Sequence, residues 1–288
     1  MYAIAGITGH TGAATAEALL AAGEKIRVIV RRADAAAPWA ARGADVAIAD
    51  LGDAVALTTA LRGTQGAFLL NPPAYAAADP FTVAQRQGAV FAQAIADSRV
   101  PRVVVLSSIG AQHAAGTGII RTTHLVEQAL ADANTPVAFL RAAYFIENWA
   151  AVLPAVRGDG VLPSFLAPLD RAFPMVPVAD IGAAAADLLR GPGWQGPRAV
   201  ELAGASDATP VAVAAAFAAA LGKPVEAVAV PREQWAGILG AAGFAPALIE
   251  AFMQMYDGIL SGHVTAEAGN ERRRGTLPLE RAVRDLLG

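Results

Sequence analysis

The chain has 288 residues, of which 55 % are hydrophobic and 16 % are charged, and this balance excludes an intrinsically disordered protein. Its 22 basic and 25 acidic residues give a formal net charge of −3, which excludes a global basic field for nucleic acid or an anionic membrane. Cysteine is absent, so disulfides, thiolate metal sites and cysteine nucleophiles are excluded as well.

In the first half of the chain, short β-branched runs alternate with longer alanine-rich runs. The runs interpreted as strands are nearly continuously apolar, which is typical of strands buried on both faces of a parallel sheet. The predicted strands are 2–7, 25–30, 45–49, 66–70, 102–107 and 136–141, and the predicted helices are 12–22, 53–62, 80–98 and 118–133. This alternation predicts right-handed βαβ units in a Rossmann-type, doubly wound α/β sheet.

After about residue 150 the pattern becomes more helical and less regular. Five prolines fall within 151–180. The elements predicted beyond them are helices 177–189, 210–221, 232–242 and 246–260 and strands 199–202 and 225–230, with 271–274 as a solvated turn. We therefore expect a sheet domain at 1–150, completed by parts of 175–205, and a smaller α+β lobe at 151–288.

No segment of the sequence indicates a membrane or an export route. The longest apolar run, 211–221, is shorter than the ~18 residues that suggest a spanning helix. The chain also begins directly with a strand-like segment, which leaves no room for a signal peptide. We expect a cytoplasmic protein.

The strongest motif is a glycine-rich turn, Gly6-Ile-Thr-Gly-His-Thr-Gly12, placed between the first strand and the first helix. Glycines there allow a tight turn and a close approach of the backbone to a diphosphate, and the helix N-terminus supplies free N–H groups. The motif predicts a dinucleotide site, and an ordinary structural turn is the alternative. Its candidate binding residues are Gly6, Thr8, Gly9, His10, Thr11 and Gly12.

Two arginines, Arg31 and Arg32, follow the second strand. A site selective for NAD would place Asp or Glu there, whereas two guanidinium groups suit the 2′-phosphate of NADP(H). The alternative is a solvated basic turn in which Asp34 pairs with either arginine.

The remaining strands of the first half also end in candidate binding residues. We expect Asp50 and Leu51 to lie beside the adenine, although Asp50 is equally suited to cap a helix. The positions after the fourth strand should follow the ribose, unless the prolines merely stop the strand. The positions after the fourth strand are Asn71, Pro72 and Pro73. The positions after the fifth strand are Ser107 and Ser108, and they should lie near the nicotinamide.

The usual acid of short-chain dehydrogenases, a Tyr-x-x-x-Lys motif, is absent. The residues four positions after Tyr2, Tyr75, Tyr144 and Tyr256 are Gly6, Asp79, Asn148 and Leu260. The corresponding helix instead carries His124 and Glu127, three residues apart on one face. His124 is a candidate proton donor, and the alternatives are a surface ion pair or a core histidine bonded to the backbone. The spacing is not that of a metal site.

A cluster of aromatic and polar residues follows the sixth strand. Tyr144, Asn148 and Trp149 are candidates for the wall of a flat, apolar substrate pocket, and Phe145 for a place beside the nicotinamide. Tyr144 is the second candidate proton donor. Simple core packing is the alternative for the aromatic side chains.

Together these motifs resemble the NmrA-like group of atypical short-chain dehydrogenases/reductases. The resemblance extends to about residue 190 and rests on 6–12, 30–32, 106–110, His124 with Glu127, 140–148 and 178–182. It implies a Rossmann-type domain with a smaller C-terminal lobe. Members of the group include NADPH-dependent quinone reductases, azoreductase-like enzymes and non-catalytic NADP-sensing regulators, and the chain looks closest to the bacterial quinone-reductase branch.

Two functions follow from these residues. The first is an NADPH-dependent oxidoreductase that passes a hydride to a quinone or a similar electron-poor acceptor, which needs little acid from the protein. The second is a regulator that senses NADP(H) without turnover. An epimerase, dehydratase or carbonyl reductase ranks last, because only His124 and Tyr144 are available as acids. The expected partner is a small molecule rather than nucleic acid or a membrane, and a homodimer is compatible with the resemblance.

Overall fold

The computed structural model describes all residues from 1 to 288 and contains twelve strands and eleven α-helices. The strands are β1 (Tyr2–Ile4), β2 (Ile26–Val30), β3 (Asp45–Ile48), β4 (Gly66–Leu70), β5 (Val103–Ser108), β6 (Val137–Ala142), β7 (Tyr144–Phe145), β8 (Val161–Ser164), β9 (Met175–Val176), β10 (Pro197–Ala203), β11 (Glu226–Ala229) and β12 (Glu271–Arg274). The helices are α1 (His10–Ala21), α2 (Ala37–Ala40), α3 (Ala54–Leu61), α4 (Pro80–Ser98), α5 (Arg121–Leu130), α6 (Leu153–Gly158), α7 (Val178–Arg190), α8 (Pro210–Leu221), α9 (Arg232–Ala241), α10 (Pro246–Ser261) and α11 (Leu279–Leu287).

Eight of the strands form one parallel sheet in the order β12-β10-β6-β5-β4-β1-β2-β3. β1 pairs with β2 on one side and with β4 on the other, so the chain changes direction across the sheet at this point. Ligands of open α/β sheets bind outside the carboxyl ends of the strands at such a switch point. The doubly wound, Rossmann-type fold predicted from the sequence is confirmed.

Both faces of the sheet are buried under helices, which explains the nearly continuous apolar strands. Successive residues Val28 and Ile29 of β2 belong to two different core clusters. The cluster containing Val28 includes residues of α1 and α7, and the other includes residues of α3, α4 and α5. Gly182 allows α7 to contact α1, since a Cβ there would lie 2.4 Å from the carbonyl carbon of Ala14.

A third core cluster defines the second lobe, with Trp149, Phe217 and Val283 among its buried side chains. The parallel pair β8–β11 and the helices α6, α8 and α11 enclose this core, and α9 packs on α10. The pair β7–β9 lies at the junction with the sheet. No helix combines the length and the apolarity that crossing a lipid bilayer requires.

Several predicted boundaries were wrong near turns. β1 ends at Ile4 instead of residue 7, because Gly6 has a positive φ of 69° and leaves the strand. α1 begins at His10, so the end of the glycine motif lies in the first helical turn. The predicted helix 118–133 is a 3₁₀ turn, Gly118–Ile120, followed by α5.

The prediction of a solvated turn at 271–274 was also wrong, because these residues form β12 at the edge of the sheet. Their Glu-Arg-Arg-Arg sequence lacks the apolar alternation of a half-buried strand, and charged residues are usual at sheet edges. The proline-rich segment 151–180 likewise contains α6, β8 and β9. The division of the chain at residue 150 stays a prediction, and the sheet takes strands from both sides of it.

Candidate active site

The glycine-rich turn lies at the switch point of the sheet, at the end of β1. Gly12 has no room for a side chain, since a Cβ would lie 2.3 Å from the carbonyl oxygen of Gly6 and 2.4 Å from that of Ala5. The turn is held by a hydrogen bond from the Gly9 N–H to the Gly6 carbonyl at 2.9 Å. Helix α1 can therefore begin directly against the strand, as in a dinucleotide-binding turn.

The N-terminus of α1 offers unpaired hydrogen-bond donors. Its N-cap, Gly9, is exposed and supplies no side-chain cap. The N–H groups of Thr8, His10, Thr11 and Gly12 have no acceptor within the protein. These donors and the partial positive charge of the helix end suit an anionic group such as a diphosphate.

The two arginines predicted to bind a phosphate are both exposed beyond the end of β2. Arg32 forms an ion pair with Asp34, as the alternative interpretation anticipated, and their hydrogen bond raises the pKa of Arg32 and lowers that of Asp34. Arg31 takes part in no ion pair. One guanidinium group is thus free, and the other is held by an exposed pair that contributes little to stability.

The ends of β3 and β4 lie next in the sheet. The Asp50 carboxylate accepts a hydrogen bond from the Gly52 N–H at 2.8 Å, and the alternative that it caps a helix was wrong, because Asp53 caps α3. The Leu51 carbonyl accepts a bond from Gln87 at 2.6 Å. Pro72 and Pro73 follow β4 and contribute no N–H groups.

Asn71, directly after β4, has a buried side-chain oxygen with no hydrogen-bond partner. A buried acceptor without a donor costs free energy, about 1–3 kcal/mol, unless a ligand or a water supplies the donor. The Gly6 loop is its neighbour, since a Cβ on Gly6 would lie 2.4 Å from Leu70. Together with the free N–H groups of α1, this orphaned oxygen fits the polar and anionic parts of a dinucleotide.

Both serines at the end of β5 have hydroxyl groups that are already bonded within the protein. The Ser107 hydroxyl donates to Glu127 Oε1 at 2.5 Å, and that of Ser108 donates to the Ile109 carbonyl at 3.0 Å. Ser107 is also only 4 % exposed. In this structure Ser107 therefore belongs to a buried polar network, and Ser108 is the more accessible of the two.

That network, which the sequence did not reveal, is centred on Arg141 of β6. Arg141 makes a forked pair with Glu127 at 3.0 and 2.7 Å, and its Nη1 reaches Glu201 at 3.3 Å and Glu267 at 2.7 Å. Burial alone lowers the pKa of Arg141, but the hydrogen bonds and charge of Glu127 outweigh it and the pKa is raised. The network joins the sheet to the segment that precedes β12.

His124 stands on α5 with one ring nitrogen engaged. Its Nδ1 lies 2.8 Å from the carbonyl oxygen of Ala111, so Nδ1 carries the hydrogen and Nε2 is the free nitrogen. Of the two alternatives, the ion pair was wrong, because the Glu127 carboxylate binds Arg141 and Ser107, and the bond to the backbone is present.

The aromatic residues after β6 separate into two environments. Tyr144 and Phe145 form β7 and are half-buried, and Asn148 is exposed. Trp149 is only 3 % exposed and belongs to the core of the second lobe, with its ring 6.1 Å from that of Tyr144. The alternative of core packing thus describes Trp149, and its proposed contact with substrate stays a prediction.

Two further carboxylates, absent from the predicted site, hold the same edge together. Glu147 accepts a hydrogen bond from the Val178 N–H at 2.9 Å, and burial raises its pKa. Asp180 accepts bonds from the N–H groups of Thr276 and Leu277 at 3.0 and 3.3 Å, which ties α7 to the chain after β12. Both contacts are distant in sequence, so no local pattern signals them.

This geometry has counterparts among known proteins. The model of the NmrA-like family matches residues 2–260. The chain belongs to the NmrA-like family. The resemblance to this family that the sequence motifs indicated is confirmed.

Relatives of this NmrA-like chain include two reductases. It is 28 % identical over 257 residues to an NAD(P)H azoreductase from Xenophilus azovorans, covering 89 % of this chain and 86 % of that one. It is 29 % identical over 252 residues to quinone oxidoreductase 2 from Escherichia coli (strain K12), with 87 % and 85 % covered. The crystal structure of an NADPH-dependent quinone oxidoreductase from Escherichia coli complexed with NADPH matches with a TM-score of 0.81 at 27 % identity, and both chains are covered completely.

Proposed function

We propose that this protein is an NADPH-dependent oxidoreductase that transfers a hydride to a quinone or a similar electron-poor small molecule. The observation that carries the proposal is the glycine turn at the switch point, with four free backbone N–H groups and no room for a side chain at Gly12. The relatives described above support the proposal, since one is an NAD(P)H azoreductase and the other is a quinone oxidoreductase.

The residues at the carboxyl edge of the sheet have the chemistry to hold NADPH. Gly6, Thr8, Gly9, His10, Thr11 and Gly12 would hold the diphosphate, and Arg31 with Arg32 the 2′-phosphate. Asp50, Leu51, Asn71, Pro72 and Pro73 would line the adenosine and ribose, and Ser107, Ser108 and Phe145 the nicotinamide end. When bound, NADPH supplies two electrons as a hydride.

The protein's own part in the reaction is mainly to position the acceptor. A quinone that accepts a hydride forms an anion stabilised by conjugation, which takes its proton from water, so the missing Tyr-x-x-x-Lys motif is no obstacle. The Tyr144 hydroxyl is the candidate donor of a hydrogen bond at this edge. His124 donates its Nδ1 hydrogen to the Ala111 carbonyl, so its free Nε2 is an acceptor and can give a proton only when the ring is doubly protonated. Tyr144, Asn148 and Trp149 remain the proposed pocket residues.

Steady-state oxidation of NADPH by a panel of quinones tests the proposal. We expect a rate that rises in proportion to protein concentration and disappears when the quinone is omitted. Tight binding of NADPH without turnover on any quinone would contradict an enzyme and favour the alternative, a non-catalytic NADP(H) sensor.

A further inference from the structure

Two tyrosine hydroxyl groups meet at the junction between the sheet and the second lobe. Tyr144 belongs to β7, just after β6, and Tyr256 belongs to α10, more than a hundred residues later. Their hydroxyl oxygens lie 3.4 Å apart. Both side chains pack against the core cluster of the second lobe, which they reach from segments far apart in the chain.

The two hydroxyl groups have one more hydrogen than their mutual hydrogen bond can use. Each phenol carries one hydrogen, and a bond between the two hydroxyl groups uses only one of them. The Tyr144 oxygen has one further partner, the side chain of Asn148, whose hydrogen bond lowers the pKa of Tyr144 and is therefore donated to the phenol oxygen. Asn148 thus adds a donor and no acceptor, so one of the two O–H groups is still left without an acceptor in the protein. Burial raises the pKa of both tyrosines, so the hydroxyl groups remain neutral donors at neutral pH.

Aromatic rings surround the pair. Phe165 and Trp235 contact the ring of Tyr256 at centroid distances of 5.0 and 5.7 Å, and Trp149 contacts that of Tyr144 at 6.1 Å. Such surroundings favour a flat, apolar molecule and exclude most competing water. A single free hydrogen-bond donor in this setting calls for a ligand with one exposed acceptor atom.

The pair also lies at the edge of the sheet where ligands bind. Ser108, at the end of β5, is directly opposite Ala142 in β6, and Tyr144 follows two residues later. Tyr144 therefore lies just beyond the ends of β5 and β6, next to the residues that we assign to the nicotinamide.

We propose that Tyr144 and Tyr256 together bind the carbonyl oxygen of a flat acceptor, and that Tyr256 thereby gives the site its preference for quinones. This inference rests on the proposed function. The quinone gains a hydride from NADPH and a proton from water and becomes a hydroquinone, while NADPH becomes NADP⁺. The tyrosines keep their own protons: one hydroxyl donates a hydrogen bond to the oxygen as it gains negative charge, and the other donates to the first hydroxyl.

Kinetics of Tyr256→Phe and Tyr144→Phe test the assignment. We expect each variant to lower kcat/KM for a benzoquinone about tenfold, the effect of one lost hydrogen bond. The Kd for NADPH should not change. Tyr2→Phe, which removes a tyrosine hydroxyl at the start of β1, is the matched control and should behave as the wild type. Unchanged quinone kinetics in Tyr256→Phe would overturn the inference.

A binding measurement without NADPH separates this inference from the proposed function. A quinone bound beside Trp149 and Trp235 should quench tryptophan fluorescence. We expect quinone affinity to be about tenfold weaker in Tyr256→Phe than in the wild type. If the wild type binds quinone in this way but never oxidises NADPH, the proposed function fails, whereas the assignment of the two tyrosines to quinone binding stands. If Tyr256→Phe and the wild type give the same quenching curve, the inference fails whatever the turnover.

Discussion

The buried network around Arg141 makes a quantitative prediction about stability. Arg141→Met would leave the Glu127 and Glu201 carboxylates, with side chains only 7 % and 2 % exposed, without their shared cation. Removal of one partner of a buried ion pair costs about 3–5 kcal/mol, because the remaining charge is neither solvated nor paired. We expect a loss of that size in the free energy of unfolding, measured by urea titration followed by circular dichroism.

Two further variants show whether burial causes the loss. Arg281→Met breaks an exposed pair with Asp285, whose side chains are 61 % and 51 % exposed, and should cost no more than about 0.5 kcal/mol. In the double variant Arg141→Met/Glu127→Gln, one stranded charge is gone, so the total loss should be smaller than the sum of the single losses. A loss below about 1 kcal/mol for Arg141→Met would refute the reasoning.

Two further predictions concern the glycine turn and the dependence of stability on pH. Gly12→Ala should lower both the melting temperature and the NADPH affinity measured by calorimetry, because the new Cβ would overlap Gly6. Gly9→Ala, whose Cβ would lie 3.5 Å from the nearest atom, should lower the NADPH affinity alone. Equal losses of melting temperature in the two variants would contradict this. Burial and the charge of His263 lower the pKa of His113 below 6.5, so the unfolded chain takes up the proton first and stability should fall as the pH drops through 6.5. Urea titrations should show a weaker pH dependence in His113→Gln, and an identical dependence would count against this contact.

The sheet was predictable where burial leaves a local pattern. β2, β4 and β5 are apolar runs covered on both faces, and the glycine turn is defined by three residues within seven positions. β12 was not predictable, because its charged residues join the sheet only through pairing with β10, some seventy positions earlier. Its position is fixed by tertiary contacts.

The site was predictable in the same uneven way. Candidate binding residues at strand ends follow from the parallel topology, since all carboxyl ends share one edge. The partners of Arg141 do not, because Glu127, Glu201 and Glu267 are 14, 60 and 126 positions away from it. The Tyr144–Tyr256 contact likewise joins residues that are 112 positions apart. Polar contacts over such separations leave no periodic signal.

The proposed function requires that the glycine turn and the arginine pair bind the phosphates of NADPH. Calorimetric titration of the double variant Arg31→Ala/Arg32→Ala with NADPH and with NADH tests this binding. Charge-assisted hydrogen bonds to the 2′-phosphate contribute about 1.5–3 kcal/mol each, so the loss of both arginines should lower NADPH affinity about a hundredfold or more while NADH affinity stays the same. Equal losses for both nucleotides, or no loss for either, would contradict the claim.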